Sequence, residues 1–252
     1  MAYDMCVVQN STPCVGGYAL RVPRYYPPIP EWTVRVKMTT DNVPVPTKAS
    51  ATVTRLYADE EIYDVTYHNA NWNGLLFRNA SSNPIAEVLG SNTADVTDMT
   101  SLFEGQEALS SVTGMTTGNV TNTSYMFSGC FLLTAVDLFD TSKVTNVASM
   151  FNSCRSLTTS PLFVTRNVIN MTSFFSGCTA LTRVPLFSTG KVTRMDNAFW
   201  NCRQVAGGAY ALYRQASRQT TPPSSHSRTF WECGADTSSG RTDLAMIDST
   251  WK

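Results

Sequence analysis

The feature that most constrains this chain is an internal period of 24 residues. Cys130, Cys154, Cys178 and Cys202 stand 24 residues apart with no slippage. Phe103, Phe127, Phe151, Phe175 and Phe199 keep the interval, and so do Val96, Val120, Val144, Val168 and Val192. Leu109, Leu133, Leu157 and Leu181 form a fourth row, with Val205 next. A repeat of this length marks a stack of short units, none of which can bury its apolar side alone. The unit reads V-T-x-M-x-x-M-F-x-x-C-x-x-L-T-x-V-x-L-F-x-T-x-K.

Each unit divides into two halves. Val144, Val147, Met150, Phe151 and Cys154 follow the spacing of one apolar helix face, and Thr141-Ser142 offers capping hydroxyls before it. Leu133, Val136 and Leu138 read as the inward side of a short strand. The expected fold is therefore an α/β repeat solenoid, leucine-rich-repeat-like, whose 24-residue units pair a short strand with a short helix. A small N-terminal β region and a helical C-terminal cap would close its ends.

Four regions follow from this reading. Residues 1–30, with Pro13, Pro23, Pro27, Pro28 and Pro30, read as an extended arm, and 31–69 as a small β cap with strands at 32–38, 51–57 and 62–67. Residues 70–205 hold the array, with Asn71 to Phe77 as a degenerate first copy. Residues 206–252 hold a last copy, in which Phe230-Trp231-Glu232-Cys233 repeats Phe199-Trp200-Asn201-Cys202. A helix at 209–216 interrupts that copy, and Asp243 to Trp251 would form an amphipathic cap.

The run Phe139 to Leu157, F-D-T-S-K-V-T-N-V-A-S-M-F-N-S-C-R-S-L, resembles the BspA-type leucine-rich repeat family, whose arrays read F-D-T-S-x-V-T-x-M-x-x-M-F-x-x-C-x-x-L. The likeness covers roughly residues 70–205. It implies a surface protein that binds host matrix or other cells, and similar arrays occur in phage-encoded proteins. Met1-Ala2-Tyr3-Asp4-Met5 offers neither the basic nor the apolar part of a secretory signal, and neither a wall nor a lipid anchor is apparent. That departure from the surface members points to a virion component, released by lysis, with the bacterial cell surface as the alternative setting.

Composition agrees with a solvated, uncharged exterior. Nineteen basic and nineteen acidic residues cancel, and only 15% of the chain is charged, against about 25% in ordinary domains. The 33 threonines, 25 serines and 16 asparagines make up the polarity. Nucleic acid is not expected as a partner, because phosphate binding needs a clustered basic surface. No apolar run approaches the roughly 18 residues of a membrane span, so membrane insertion is not expected either.

The cysteine row invites a metal or disulfide reading. Neighbouring parallel rungs lie about 4.8 Å apart with side chains pointing the same way, whereas disulfides need converging Cβ vectors and zinc sites use mixed directions. Cys130, Cys154, Cys178 and Cys202, with Phe127, Phe151, Phe175 and Phe199, are thus expected to form a structural core ladder of reduced thiols and rings. Cys6 and Cys14 lie outside the row, either free or paired with each other. His68 and His226 read as surface or structural residues, and Asp59-Glu60-Glu61 as a solvated turn. Sequons at Asn10, Asn79, Asn119, Asn122 and Asn170 fall in an Asn- and Thr-rich chain and are read as unglycosylated. Neither a catalytic motif nor a cofactor-binding loop is found, so the chain is read as a non-enzyme without cofactor.

Candidate ligand-facing residues come from strand alternation. If Leu133 and Val136 point inward, Ala135 and Asp137 point outward, with Thr159 and Arg183 in the row of Ala135. Phe139, Phe163 and Phe187, with Met115, would form a stripe that stacks on sugar rings if exposed. Burial at the strand end fits the same register and is the preferred reading of the stripe. The function expected is a binding or adhesion module, a phage tail or head appendage that contacts the host surface. Its partners would be a host glycan or protein, other virion or surface proteins through residues 1–30, and further copies of itself. The rival is a purely structural virion decoration or assembly protein.

Overall fold

Alternation in Thr33-Val34-Arg35-Val36-Lys37-Met38 produces the first strand, β1 (Thr33–Met38), with Val34, Val36 and Met38 buried. The computed structural model describes residues 28, 33–39, 51–56, 61–67, 84–137, 139–161 and 163–252. Further strands are β2 (Ala51–Arg55), β3 (Ile62–Tyr67), β4 (Ile85–Asn92), β5 (Ser111–Val112) and β6 (Ala135–Val136). They form one mixed sheet in the order β2-β3-β1-β4-β5-β6, antiparallel up to β4 and parallel beyond it. Register places Val36 beside Tyr63 on one side and Val88 on the other, all fully buried. On the opposite face Arg35 lies across from Asp64 and grips it with two bonds of 2.7 and 2.8 Å, the pair being nearly solvent-free.

This sheet corrects the expected α/β repeat solenoid of strand-plus-helix units with a helical C-terminal cap. Among the described residues there are six strands in one mixed sheet and two α-helices, α1 (Ala209–Ser217) and α2 (Ser238–Met246), and neither helix lies in the repeated 24-residue segment. The segment expected to be helical, Val144 to Cys154, is a succession of turns. Its backbone is left-handed at Ser149 (φ 55°) and again at Ser153 (φ 61°), whereas an α-helix needs right-handed angles at every residue. The N–H groups of Val147, Ser149, Phe151 and Ser153 donate to carbonyls of the next unit, those of Asn170, Thr172, Phe174 and Ser176, at 2.7–3.1 Å. Those of Met150, Asn152 and Cys154 close i→i−3 turns within the segment. Each backbone donor is satisfied, but across units rather than along a helix.

The strand half of the unit is corrected by proline. Thr113 N–H donates to Val88 and Asp137 N–H to Val112, each at 2.9 Å. The residues 24 positions further on are Pro161 and Pro185, which have no N–H to give. The sheet accordingly ends at β6. Along the turn segments the units also meet at parallel bridges, Asp98 to Asn122, Asn122 to Asn146, Asn146 to Asn170, Asn170 to Arg194 and Arg194 to Ser225. At each of Asn122, Asn146 and Asn170 the side-chain Oδ1 accepts from the N–H two residues on, at 3.0–3.1 Å.

Inside, one ring per unit builds a column. Phe103, Phe127, Phe151, Phe175, Phe199 and Phe230 stack with centroids 5.3–5.8 Å apart and planes within 20°. Trp251 ends the column 6.3 Å from Phe230. Beside it the thiols of Cys130, Cys154, Cys178 and Cys202 each donate to a phenylalanine carbonyl one unit back, at 3.0–3.2 Å. In the unit before Cys130 the row is taken by Gln106, whose Oε1 accepts from Ile85 N–H at 3.0 Å.

The carboxyl end also differs from the expected single amphipathic segment. Thr237 caps α2 by accepting from Gly240 N–H, and the chain leaves the helix at Ile247 to finish in a 3-10 turn, Ser249–Trp251. Helix α1 starts after Gly208, whose left-handed φ of 95° and whose place against the Val184 carbonyl leave no room for a Cβ. The expected arm at 1–30 (Pro28 apart), the Cys6–Cys14 pair, the first copy at Asn71 to Phe77, His68 and Leu138 lie outside the described residues.

One substitution tests the left-handed row. Ser153 occupies the place held by Gly105, Gly129 and Gly177 in other units, all at φ 72–76°. Ser153→Gly removes the steric cost of a Cβ there, roughly 1 kcal/mol, and sacrifices only the half-buried bond from Ser153 Oγ to Asn152 Oδ1. The expected result is a gain of about 0.5 kcal/mol in urea denaturation, against the destabilisation usual for glycine in a helix.

Candidate functional site: the outer face of the sheet

Pairing across the sheet lines up one outward row. Lys37 pairs with Glu87, Glu87 with Ser111, and Ser111 with Ala135. Thr159 and Arg183 take the same place in the next two units, and Ala135, Thr159 and Arg183 are all exposed. A second row holds Thr113 and Asp137, exposed, then Pro161 and Pro185, half-buried. The structure thus brings together Ala135, Asp137, Thr159 and Arg183 on one face.

The charges on this face differ sharply in setting. Lys37 and Glu87 form an open ion pair at 3.1 Å, of little energetic weight in water. Arg35 and Asp64 on the same side are buried and mutually neutralised. Asp137 and Arg183 stand in solvent on neighbouring rows. At the rim the Ser142 hydroxyl and N–H hold the Asp140 carboxyl below its ordinary range. Such a face is equipped for hydrogen bonds and ionic contacts with a ligand.

For Phe139, Phe163 and Phe187 the ligand-facing alternative is corrected and the preferred inward reading holds: Phe139 and Phe187 are buried at 5% and 4% exposure, and Phe163 is half-buried against the core. Their rings lie 5.7–6.1 Å from Phe127, Phe151 and Phe175, as a second layer on the ring column. At the strand end each side chain turns inward because the column offers an aromatic partner. Leu186, just before Phe187, is 68% exposed. It lines a shallow groove with Ala211, Arg214, Gln215 and Arg218 of α1 and its end.

The residues of the core ladder, Cys130, Cys154, Cys178 and Cys202 with Phe127, Phe151, Phe175 and Phe199, are fully buried. Burial pushes every one of these thiols up, Cys202 to about 12. His226 stacks flat on Trp251 with centroids 4.2 Å apart. Among the described residues no three His, Cys, Asp or Glu side chains gather to hold a metal. Nor is any helix among them long and apolar enough to cross a membrane.

Sequence reasoning passed over Trp200 and Trp231, which are 37% and 46% exposed. The signal was present: each follows a core phenylalanine in a Phe-Trp-x-Cys run, so with the phenylalanine inward the tryptophan faces out.

Comparison with known proteins returns no curated protein and no solved structure that matches. One family model matches twice, over residues 74–184 and 131–212. These stretches cover more than half of the 252 residues and contain the whole outer face beyond Ile85. By that match the chain belongs to the family described as Mycoplasma protein of unknown function, DUF285.

Proposed function

We propose that the chain is a non-enzymatic recognition module that presents the outer face of its sheet and following units to a host-surface glycan or protein. One observation carries this reading: the inward rows repeat the same residue in unit after unit, while the outward row changes, from Ser111 to Ala135, Thr159 and Arg183. A constant frame with a changing exterior is how repeat proteins build extended binding surfaces. The resemblance of the units to BspA-type arrays supports a place on a surface. The same resemblance, with the phage-encoded arrays it includes, supports a tail or head appendage of a phage particle, anchored through residues 1–30 and assembled in several copies.

The test is binding of fluorescently labelled full-length protein to a panel of bacterial strains. The expected outcome is binding to a restricted set, reduced at least tenfold by the pair Thr159→Lys and Arg183→Glu with the melting temperature unchanged. Binding to no strain removes the recognition reading and leaves a structural role on a particle. Binding that the paired substitution leaves intact removes the outer face as its seat.

A further inference from the structure

The exposed tryptophans lie in the turn segments, away from the strands that form the outer face, and have a role of their own. Gly177 N–H donates to the Trp200 carbonyl at 2.7 Å, and Asn201 N–H to the Trp231 carbonyl at 2.8 Å. Trp200 and Trp231 therefore hold the same place in consecutive units. Their sequence neighbours Phe199 and Phe230 stack 5.8 Å apart with planes 4° from parallel, so the two tryptophans leave the frame in register. In other units the same position carries Glu104, Ser128 and Asn152, all half-buried, and Ser176, which is buried. The fold thus has no need of an aromatic ring there.

The surroundings are polar and hydrogen-bonding. Glu232 follows Trp231 directly and accepts from Arg203 Nη1 at 2.7 Å. Asp236 takes Arg203 Nη2 at 2.9 Å and Nε at 3.1 Å. The guanidinium is already neutralised by two carboxylates, so the patch offers planar hydrogen-bonding groups without surplus positive charge. A protein interface wants an apolar core within roughly 800 Å² per partner, and two partly exposed indoles do not supply one. Flat indole faces beside fixed polar forks suit a ring with one C–H face and hydroxyls around its edge.

We propose that Trp200 and Trp231 form a stacking platform for a neutral polysaccharide of pyranose units, each indole taking one sugar ring and the Arg203–Glu232–Asp236 cluster taking hydroxyls. Neutral sugars are favoured over acidic ones because Arg203 has no charge to spare. This site stands apart from the outer face and does not depend on it.

Isothermal titration calorimetry of the full chain with cellohexaose, maltohexaose and hexa-N-acetylchitohexaose tests the platform. Saturable binding heat with at least one of the three is expected. Trp200→Ala with Trp231→Ala should weaken that binding at least tenfold, with urea unfolding unchanged, and Trp200→Tyr with Trp231→Tyr should restore most of it. The Arg183→Glu variant should bind sugar as the wild type does, so cell-binding failure and sugar-binding failure remain separable. Absence of saturable binding by all three sugars overturns the proposal, as does equal binding by the double alanine variant. Concentration-dependent self-association in sedimentation that the double alanine variant abolishes, with no sugar effect, overturns it in favour of a contact between copies of this chain.

Discussion

Raising the pH from 8 to 10 is expected to remove on the order of 10 kcal/mol of folding stability, enough to unfold the chain. The source is the buried thiol row. Desolvation pushes Cys130, Cys154, Cys178, Cys202 and Cys233 up, with neighbouring thiols adding to the shift for several of them and Cys202 reaching about 12. In the unfolded chain a thiol titrates at about 8.5. A folded value above the unfolded one means full stability below about pH 8.5 and loss as pH rises toward the folded value. At pH 10 each unfolded thiol has gained roughly 2 kcal/mol from ionisation, and five such groups are described. Urea midpoints measured at pH 8, 9 and 10 under reducing conditions should fall steeply. The double variant Cys154→Ala, Cys178→Ala should lose about two fifths of that pH dependence, as expected if the five thiols contribute equally. A midpoint that does not move with pH, or a slope the double variant leaves unchanged, would show that the row does not set alkaline stability.

Truncation of the central ring is the second large effect. Phe151 is fully buried and touches Phe127, Phe163, Phe174 and Phe175, with centroids 5.3–5.9 Å away. Removing it opens a cavity that stacked, regularly spaced backbones cannot close, so Phe151→Ala should cost about 3–5 kcal/mol. In a chain of this size that lowers the melting temperature by roughly 6–20 °C. Phe163→Ala, half-buried at the edge of the same cluster, should cost distinctly less. Calorimetry on the two variants decides the matter: equal losses would mean that the column is no more tightly packed than its flank.

Much of the interior is legible in the sequence. Spacing marks Val144, Val147, Met150, Phe151 and Cys154 as one inward set, and all five are buried. Spacing does not fix their backbone, because i, i+3 and i+7 also arises from successive turns that re-aim the chain at left-handed residues. Serine at 149 and 153 gives no warning of a positive φ, although glycine at 129 and 177 does. Of the candidate site, Ala135, Asp137, Thr159 and Arg183 follow from alternation alone. The inward turn of Phe139 and Phe187 does not, since alternation sets them beside the outward Asp137 and Pro185 rows and only the ring column at the strand end draws them in.

The amino-acid order by itself determined the 24-residue period, the identity of the inward rows and the family of the chain, because these depend only on which residue types recur at which interval. Tertiary structure decided the rest. The N–H groups of the turn segments find their acceptors one unit away, at separations of 23 residues, and no local propensity reports a partner that distant. Pro161 and Pro185 were visible throughout, but a missing N–H ends a sheet only where a neighbouring carbonyl awaits it. The exposure of Trp200, Trp231 and Leu186 is likewise a property of what packs beside them, and only the folded stack places those neighbours.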